Sequence, residues 1–149
     1  MRKALSTAAL ALAVTALSMT VLPASPAQAA GPVQFGRLQY DAPGPDSAVN
    51  TNGEYVSVSN LSARPVRLNG WTVRDLANHV YRFDNYVLPA RRTVVIRTGS
   101  GVNGPLVRYW NRRAHVWNNT GDTVLLRSAT GALLDRCTWG PGGNGSVNC

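Results

Sequence analysis

The densest group of oxygen ligands in this sequence is the acidic turn Asp41-Ala42-Pro43-Gly44-Pro45-Asp46, with Asn50 and Glu54 just beyond it. Carboxylates, an amide and loop carbonyls can surround calcium, a hard cation that takes about six to eight oxygens. The spacing is not that of an EF-hand, and a rigid Pro-Gly-Pro turn with solvated ends uses the same residues. Asp41, Asp46, Asn50 and Glu54 are therefore candidate calcium ligands set against a plain turn, and no other cofactor is expected.

Arginine makes the second constellation. Arg108-Tyr109-Trp110-Asn111-Arg112-Arg113-Ala114-His115 interleaves cations with aromatic rings, and Arg91-Arg92 adds another pair. Guanidinium forks grip phosphate and carboxylate while rings stack, so Arg91, Arg92, Arg108, Arg112 and Arg113 are candidate polyanion-binding residues. DNA, teichoic acid and anionic polysaccharide all fit that chemistry. The plainer alternative packs Trp110 inside and leaves the arginines as solvated surface charge.

Catalytic chemistry finds little to work with. The two histidines, His79 and His115, are far apart in sequence. A zinc hydrolase needs about three convergent ligands, and no His-Glu-x-x-His occurs. A Gly-x-Ser-x-Gly elbow is likewise missing. Paired carboxylates drawn from Asp41, Glu54, Asp75, Asp84, Asp122 and Asp135 could serve a small hydrolase, although most sit in turn-like contexts. Three Asn-x-Ser/Thr acceptor patterns, at Asn60, Asn118 and Asn144, are read as without consequence.

The amino terminus states a destination. Arg2 and Lys3 precede an uncharged Ala8–Leu22 stretch, and Ala27-Gln28-Ala29 offers a small-x-small cleavage site. That order describes a secretory signal peptide over residues 1–29. The apolar run is shorter than the roughly 20 residues needed to span a bilayer. Without paired arginines ahead of it, the general secretory route is expected, and no stable membrane insertion. The mature chain, residues 30–149, should form one domain.

Of fifteen Lys+Arg, two lie in the leader; the remaining thirteen are all arginine, and seven Asp+Glu leave a net charge of +6. The only cysteines, Cys137 and Cys149, should pair in an oxidising compartment and close a loop at the C-terminus. They lack the Cys-x-x-Cys spacing of redox motifs.

These residues must be held by strands. Val56/Val58, Trp71/Val73, Tyr81/Phe83, Val94/Ile96 and Val124/Leu126 alternate with polar neighbours, and Gly, Pro and Asn clusters punctuate the runs. The pattern predicts strands near 33–40, 54–60, 65–74, 79–83, 92–98, 106–110, 122–127 and 132–139. Seven or eight short strands imply an all-β, immunoglobulin-like, two-sheet antiparallel sandwich. Trp71 and Trp117 should supply core area, each indole N–H finding a partner.

Glu54-Tyr55-Val56-Ser57-Val58-Ser59-Asn60, Leu68-Asn69-Gly70-Trp71 and Trp117-Asn118-Asn119-Thr120-Gly121-Asp122 occur in that order. Together they resemble the lamin-tail domain, an immunoglobulin-like module of nuclear lamins and of bacterial exported proteins. The likeness runs over about residues 33–139 and implies the sandwich fold. The arginine-only, lysine-free mature chain is similar to actinobacterial-type, stand-alone versions. There is no coiled-coil rod or attached hydrolase domain, and the cysteine pair is foreign to the animal form. The expected role is a secreted, non-catalytic binding module for an extracellular or cell-wall partner. A small hydrolase and an inert surface module are the alternatives.

Overall fold

In the computed structural model, the described residues are 31–149; the signal peptide expected at 1–29 lies outside them. Period-two alternation lays down β1 (Val33–Gln39), β2 (Tyr55–Asn60), β3 (Val66–Arg67), β4 (Thr72–Arg74), β5 (Val80–Arg82) and β6 (Val87–Leu88). They are followed by β7 (Thr93–Arg97), β8 (Val107–Tyr109), β9 (Asp122–Arg127), β10 (Leu133–Trp139) and β11 (Ser146–Asn148). Among the described residues the only helical element is a 3-10 turn, Thr51–Gly53. No helix among them is long and apolar enough to cross a membrane.

Two sheets face each other. One has the order β11-β1-β2-β7-β8 and the other β10-β9-β4-β5, with a small β3-β6 pair beside them. Val56 and Val58 of β2 and Val94 and Ile96 of β7 are fully buried, as are Val73 of β4 and Val124 and Leu126 of β9. These side chains are the inward half of each alternation. Burying each removes an aliphatic group from water, worth about 1.5–3 kcal/mol apiece.

Three expectations need correction. The run predicted over 65–74 is two strands, because Leu68-Asn69-Gly70-Trp71 turns. Gly70 has φ +77°, a left-handed conformation that glycine adopts without steric penalty, and Trp71 N–H donates to the Leu68 carbonyl at 2.9 Å. The sandwich is also not wholly antiparallel, since β7 and β8 run in parallel, pairing Val95 with Val107 and Arg97 with Tyr109. In the connection between them Gly101 lies against the Tyr109 ring, where a β-carbon would collide. Finally, the number of strands exceeds seven or eight, chiefly through the two-residue β3 and β6 and the terminal β11.

Cys137 and Cys149 form the expected disulfide, with Cα atoms 5.6 Å apart. It joins β10 of one sheet to the residue after β11 of the other, where Cys149 N–H donates to the Gly36 carbonyl at 3.0 Å. Tyr40 stacks on Trp139 nearby, with centroids 5.2 Å apart. Trp117 is buried as expected, but its indole N–H has no hydrogen-bond partner among the described residues. Trp71 is only half-buried. Trp139 takes a core position in its stead, and its indole donates to the Asn118 carbonyl at 2.9 Å.

Candidate functional site

The acidic turn is organised by Asn50. Its Oδ1 accepts from Ser47 N–H at 3.0 Å, and its Nδ2 donates to the Pro45 carbonyl at 3.0 Å, so the side chain closes the loop that precedes the 3-10 turn. That turn delivers Glu54 into the core at the start of β2. Glu54 is fully buried and its Oε2 accepts from Val116 N–H at 3.0 Å. Its own carbonyl accepts from Thr98 N–H at 3.1 Å.

Asp46, Asn50 and Glu54 do converge, but on His115. Nε2 of His115 lies 3.0 Å from Asn50 Oδ1 and 3.7 Å from Asp46 Oδ1. Its Nδ1 lies 3.1 Å from Glu54 Oε1, within ion-pair range but out of line for a hydrogen bond. The imidazole lies between them, with Glu54 at Nδ1 and Asn50 and Asp46 at Nε2. Asp41 stands apart, packed against Gly145 of the C-terminal loop. No group of three or more His, Cys, Asp or Glu among the described residues is placed to hold a metal.

Burial raises the Glu54 carboxyl above its ordinary value of 4.5, against the opposing pull of the Val116 N–H and of His115. The cluster therefore ties the loop ahead of β2 to the 111–117 segment. It is a brace, and sequence reading missed it because its members lie about sixty positions apart.

The expected arginines do not form one patch. Arg91 and Arg92 are exposed in the turn ahead of β7, with Arg91 at φ 58°. Arg112 and Arg113 follow β8. Because β7 and β8 are parallel, the two pairs lie at opposite ends of the five-stranded sheet. Arg108 is half-buried, its guanidinium 4.9 Å from the centre of the Tyr86 ring, a cation–π contact that turns it inward. Arg112 N–H donates to the Thr98 carbonyl at 2.9 Å, while Arg113 is exposed.

A wider pattern emerges from the whole set. Among the described residues, which include all thirteen arginines of the mature chain, no arginine nitrogen lies within 4.0 Å of a carboxylate oxygen. Four of the seven carboxylates accept from backbone N–H groups instead. Asp75 is buried and accepts from His79 N–H at 2.7 Å, with its other oxygen 2.5 Å from His79 Nδ1. Asp135 accepts from Phe35 N–H at 2.7 Å across the sandwich. Asp122 accepts from Thr123 N–H at 2.7 Å and Asn118 Nδ2 at 3.0 Å, which fixes the Trp-Asn-Asn-x-Gly-Asp turn. Carboxylates held in this way fix turns and join the sheets.

Arg74, Arg82, Arg127 and Arg136, on β4, β5, β9 and β10, were not singled out from sequence. Their signal was the alternation Val73-Arg74, Tyr81-Arg82 and Leu126-Arg127, which puts each arginine on the outward side of a strand with a buried neighbour inside. At the β5 edge of that sheet, facing β8, lies a cleft of about 230 Å³. Arg82, Asp84, Asn103, Tyr109, Trp110 and Asn111 contribute to its lining.

Two facing, mainly antiparallel sheets with a core of alternating aliphatic residues define an immunoglobulin-like domain. The lamin tail domain family model matches residues 26–141, and the chain belongs to that family. The last strand and Cys149 lie beyond the matched stretch. Among curated proteins there is no significant match.

Proposed function

We propose that this lamin tail domain is an exported, non-catalytic binding module whose partner is an extracellular or wall-associated polyanion. The observation that carries the reading is the unpaired arginine set. Thirteen guanidiniums with no carboxylate in salt-bridge range leave a net charge of +6 available to an approaching anion. Such a field concentrates anionic partners at the surface and speeds their association. Export is supported by the leader-like amino terminus and by the Cys137–Cys149 disulfide, a bond that persists in oxidising compartments. A module role is supported by membership of an immunoglobulin-like family.

The test is binding of residues 30–149 to soluble polyanions of several backbones over a range of sodium chloride concentrations. Affinity should fall steeply and linearly in a log–log plot, because counterions released from the polyanion drive association. Absence of binding to every polyanion at low salt, or binding insensitive to salt, overturns the reading.

A further inference from the structure

We propose that the outer face of the four-stranded sheet, together with the cleft at its β5 edge, binds a linear acidic polysaccharide. This deepens the polyanion reading and rests on it. Registration of three strand pairs aligns the face. One row across the sheet reads Leu133, Arg127, Thr72, Arg82, and the next reads Arg136, Leu125, Arg74, Val80. The arginines alternate along both rows and are staggered between them. With strands about 4.8 Å apart and same-face residues about 6.7 Å apart along a strand, arginines in one row are roughly 10 Å apart and diagonal neighbours roughly 8 Å.

No carboxylate stands in these two rows, and two of the guanidiniums are already aimed. Arg82 Nη1 donates to the Gly70 carbonyl at 3.0 Å and Arg127 Nη1 to the Gly131 carbonyl at 2.9 Å, which leaves further N–H groups of each fork for a ligand. Nε of Arg74 and of Arg127 is buried without a partner. Between the arginines lie aliphatic side chains, of which Val80 is 39 % and Leu133 36 % exposed.

The chemistry of the cleft selects among polyanions. Arg82 belongs both to the arginine rows and to the cleft wall. Beside it are the rings of Tyr109 and Trp110 and the polar groups of Asp84, Asn103 and Asn111. Among the described residues neither the exposed Asp84 carboxylate nor the exposed Asn111 side-chain amide has a protein hydrogen-bond partner. A carboxylate in the cleft repels phosphate but accepts from a hydroxyl. A cleft lined by aromatic side chains and a few polar groups suits a small ring bearing hydroxyls.

An acidic sugar chain supplies both requirements, hydroxyls for the cleft and regularly spaced carboxylates or sulfates for the guanidiniums. A DNA strand offers no hydroxyls along its backbone, so its phosphates would meet the Asp84 carboxylate with nothing to donate to it. A second copy of this chain presenting the same face would set arginine against arginine.

Polygalacturonate, heparin, neutral dextran, duplex DNA and anionic phospholipid vesicles are the probes, with residues 30–149 and three double variants confirmed folded by thermal unfolding. R82Q/R136Q changes exposed members of the face. R91Q/R92Q and R112Q/R113Q change the ends of the other sheet. The expected result is binding to polygalacturonate or heparin but not dextran. R82Q/R136Q should weaken it at least about tenfold and lower the salt slope by about one per arginine removed. D84N should weaken binding to the acidic sugars without lowering the salt slope. A loss of about tenfold in R91Q/R92Q or R112Q/R113Q with R82Q/R136Q unchanged, or an equal loss in all three, overturns this face while leaving the polyanion reading intact. Tighter binding to DNA or vesicles than to either acidic sugar overturns the polysaccharide class, and no binding to any polyanion overturns both readings.

Discussion

Removing the disulfide should lower stability by an amount that follows from the loop it closes. Cys137 and Cys149 are separated by 12 positions, and a cross-link over such a loop restricts the unfolded chain by about 3 kcal/mol. For a domain of about 120 residues the unfolding entropy is about 250 cal/mol/K, so the midpoint should drop by about 12 °C. The cleaner variant is Cys149→Ser, because Cys149 is exposed whereas Cys137 lies in the core and tolerates remaining as a small apolar thiol. Calorimetry or circular dichroism of wild type with and without a phosphine reductant, beside Cys149→Ser, is the assay.

Reduced wild type and the variant should share one midpoint, and the variant should ignore reductant. A shift under about 3 °C would refute the loop-entropy reasoning. A drop beyond about 20 °C would also refute it, by showing that the bond holds native packing as well. β11 carries only three paired residues on β1, and Tyr40 stacks on Trp139 beside it, so those contacts are what such an excess would report.

Glu54 makes stability depend on pH. Burial holds its carboxyl above 4.5, so the folded state keeps a proton that the unfolded state has released; its contribution is full below about pH 4.5 and is lost as pH rises through the raised value. Glu54→Gln should flatten that part of the curve in chemical denaturation across pH, and an unchanged slope would contradict the assignment. Asp75→Ala strands the His79 backbone N–H and should cost about 2 kcal/mol, or roughly 8 °C, with Asp75→Asn losing less; equal midpoints for wild type and Asp75→Ala would show that this bond does not hold the turn between β4 and β5. Melting in excess calcium and in EDTA should coincide, since Asn50 and Asp46 already face His115; a calcium-dependent rise abolished by Asp46→Ala would restore the metal reading.

Val56 and Val58, Val94 and Ile96, and Val124 and Leu126 were legible because a half-buried strand imposes period two on its own residues. The pairing of β3 with β6 was not. Two-residue strands are fixed by their partner, and Val66 meets Leu88 across a loop that sequence cannot fold. β11 was hidden for a similar reason, since Pro141–Gly145 reads only as turn and the disulfide and β1 decide the rest. At the acidic turn, residue types pointed to a cluster whose last member they did not show. Asp46, Asn50 and Glu54 do gather, but a histidine sixty-one positions after Glu54 arrives from another segment. The arginine-aromatic run attracted attention by local density, whereas Arg74, Arg82, Arg127 and Arg136 become neighbours only through the register of three strand pairs.

The division of labour among charges explains why a basic chain can be both stable and receptive. Glu54, Asp75, Asp122 and Asp135 all accept from backbone N–H groups, and each of these bonds fixes a turn or joins separate segments. Had those carboxylates met arginines on the surface, each exposed pair would add only about 0–1 kcal/mol and would cancel part of the field. Holding them in structural bonds leaves the guanidiniums uncompensated on the outside. Their alkyl stems cover strand faces, as Arg82 and Arg127 flank the buried Thr72, while their heads stay in water. The same side chains thus complete the packing and carry the charge. Neutral Gln replacements at Arg82 and Arg136 separate the two roles, since they retain much of the stem and remove the field.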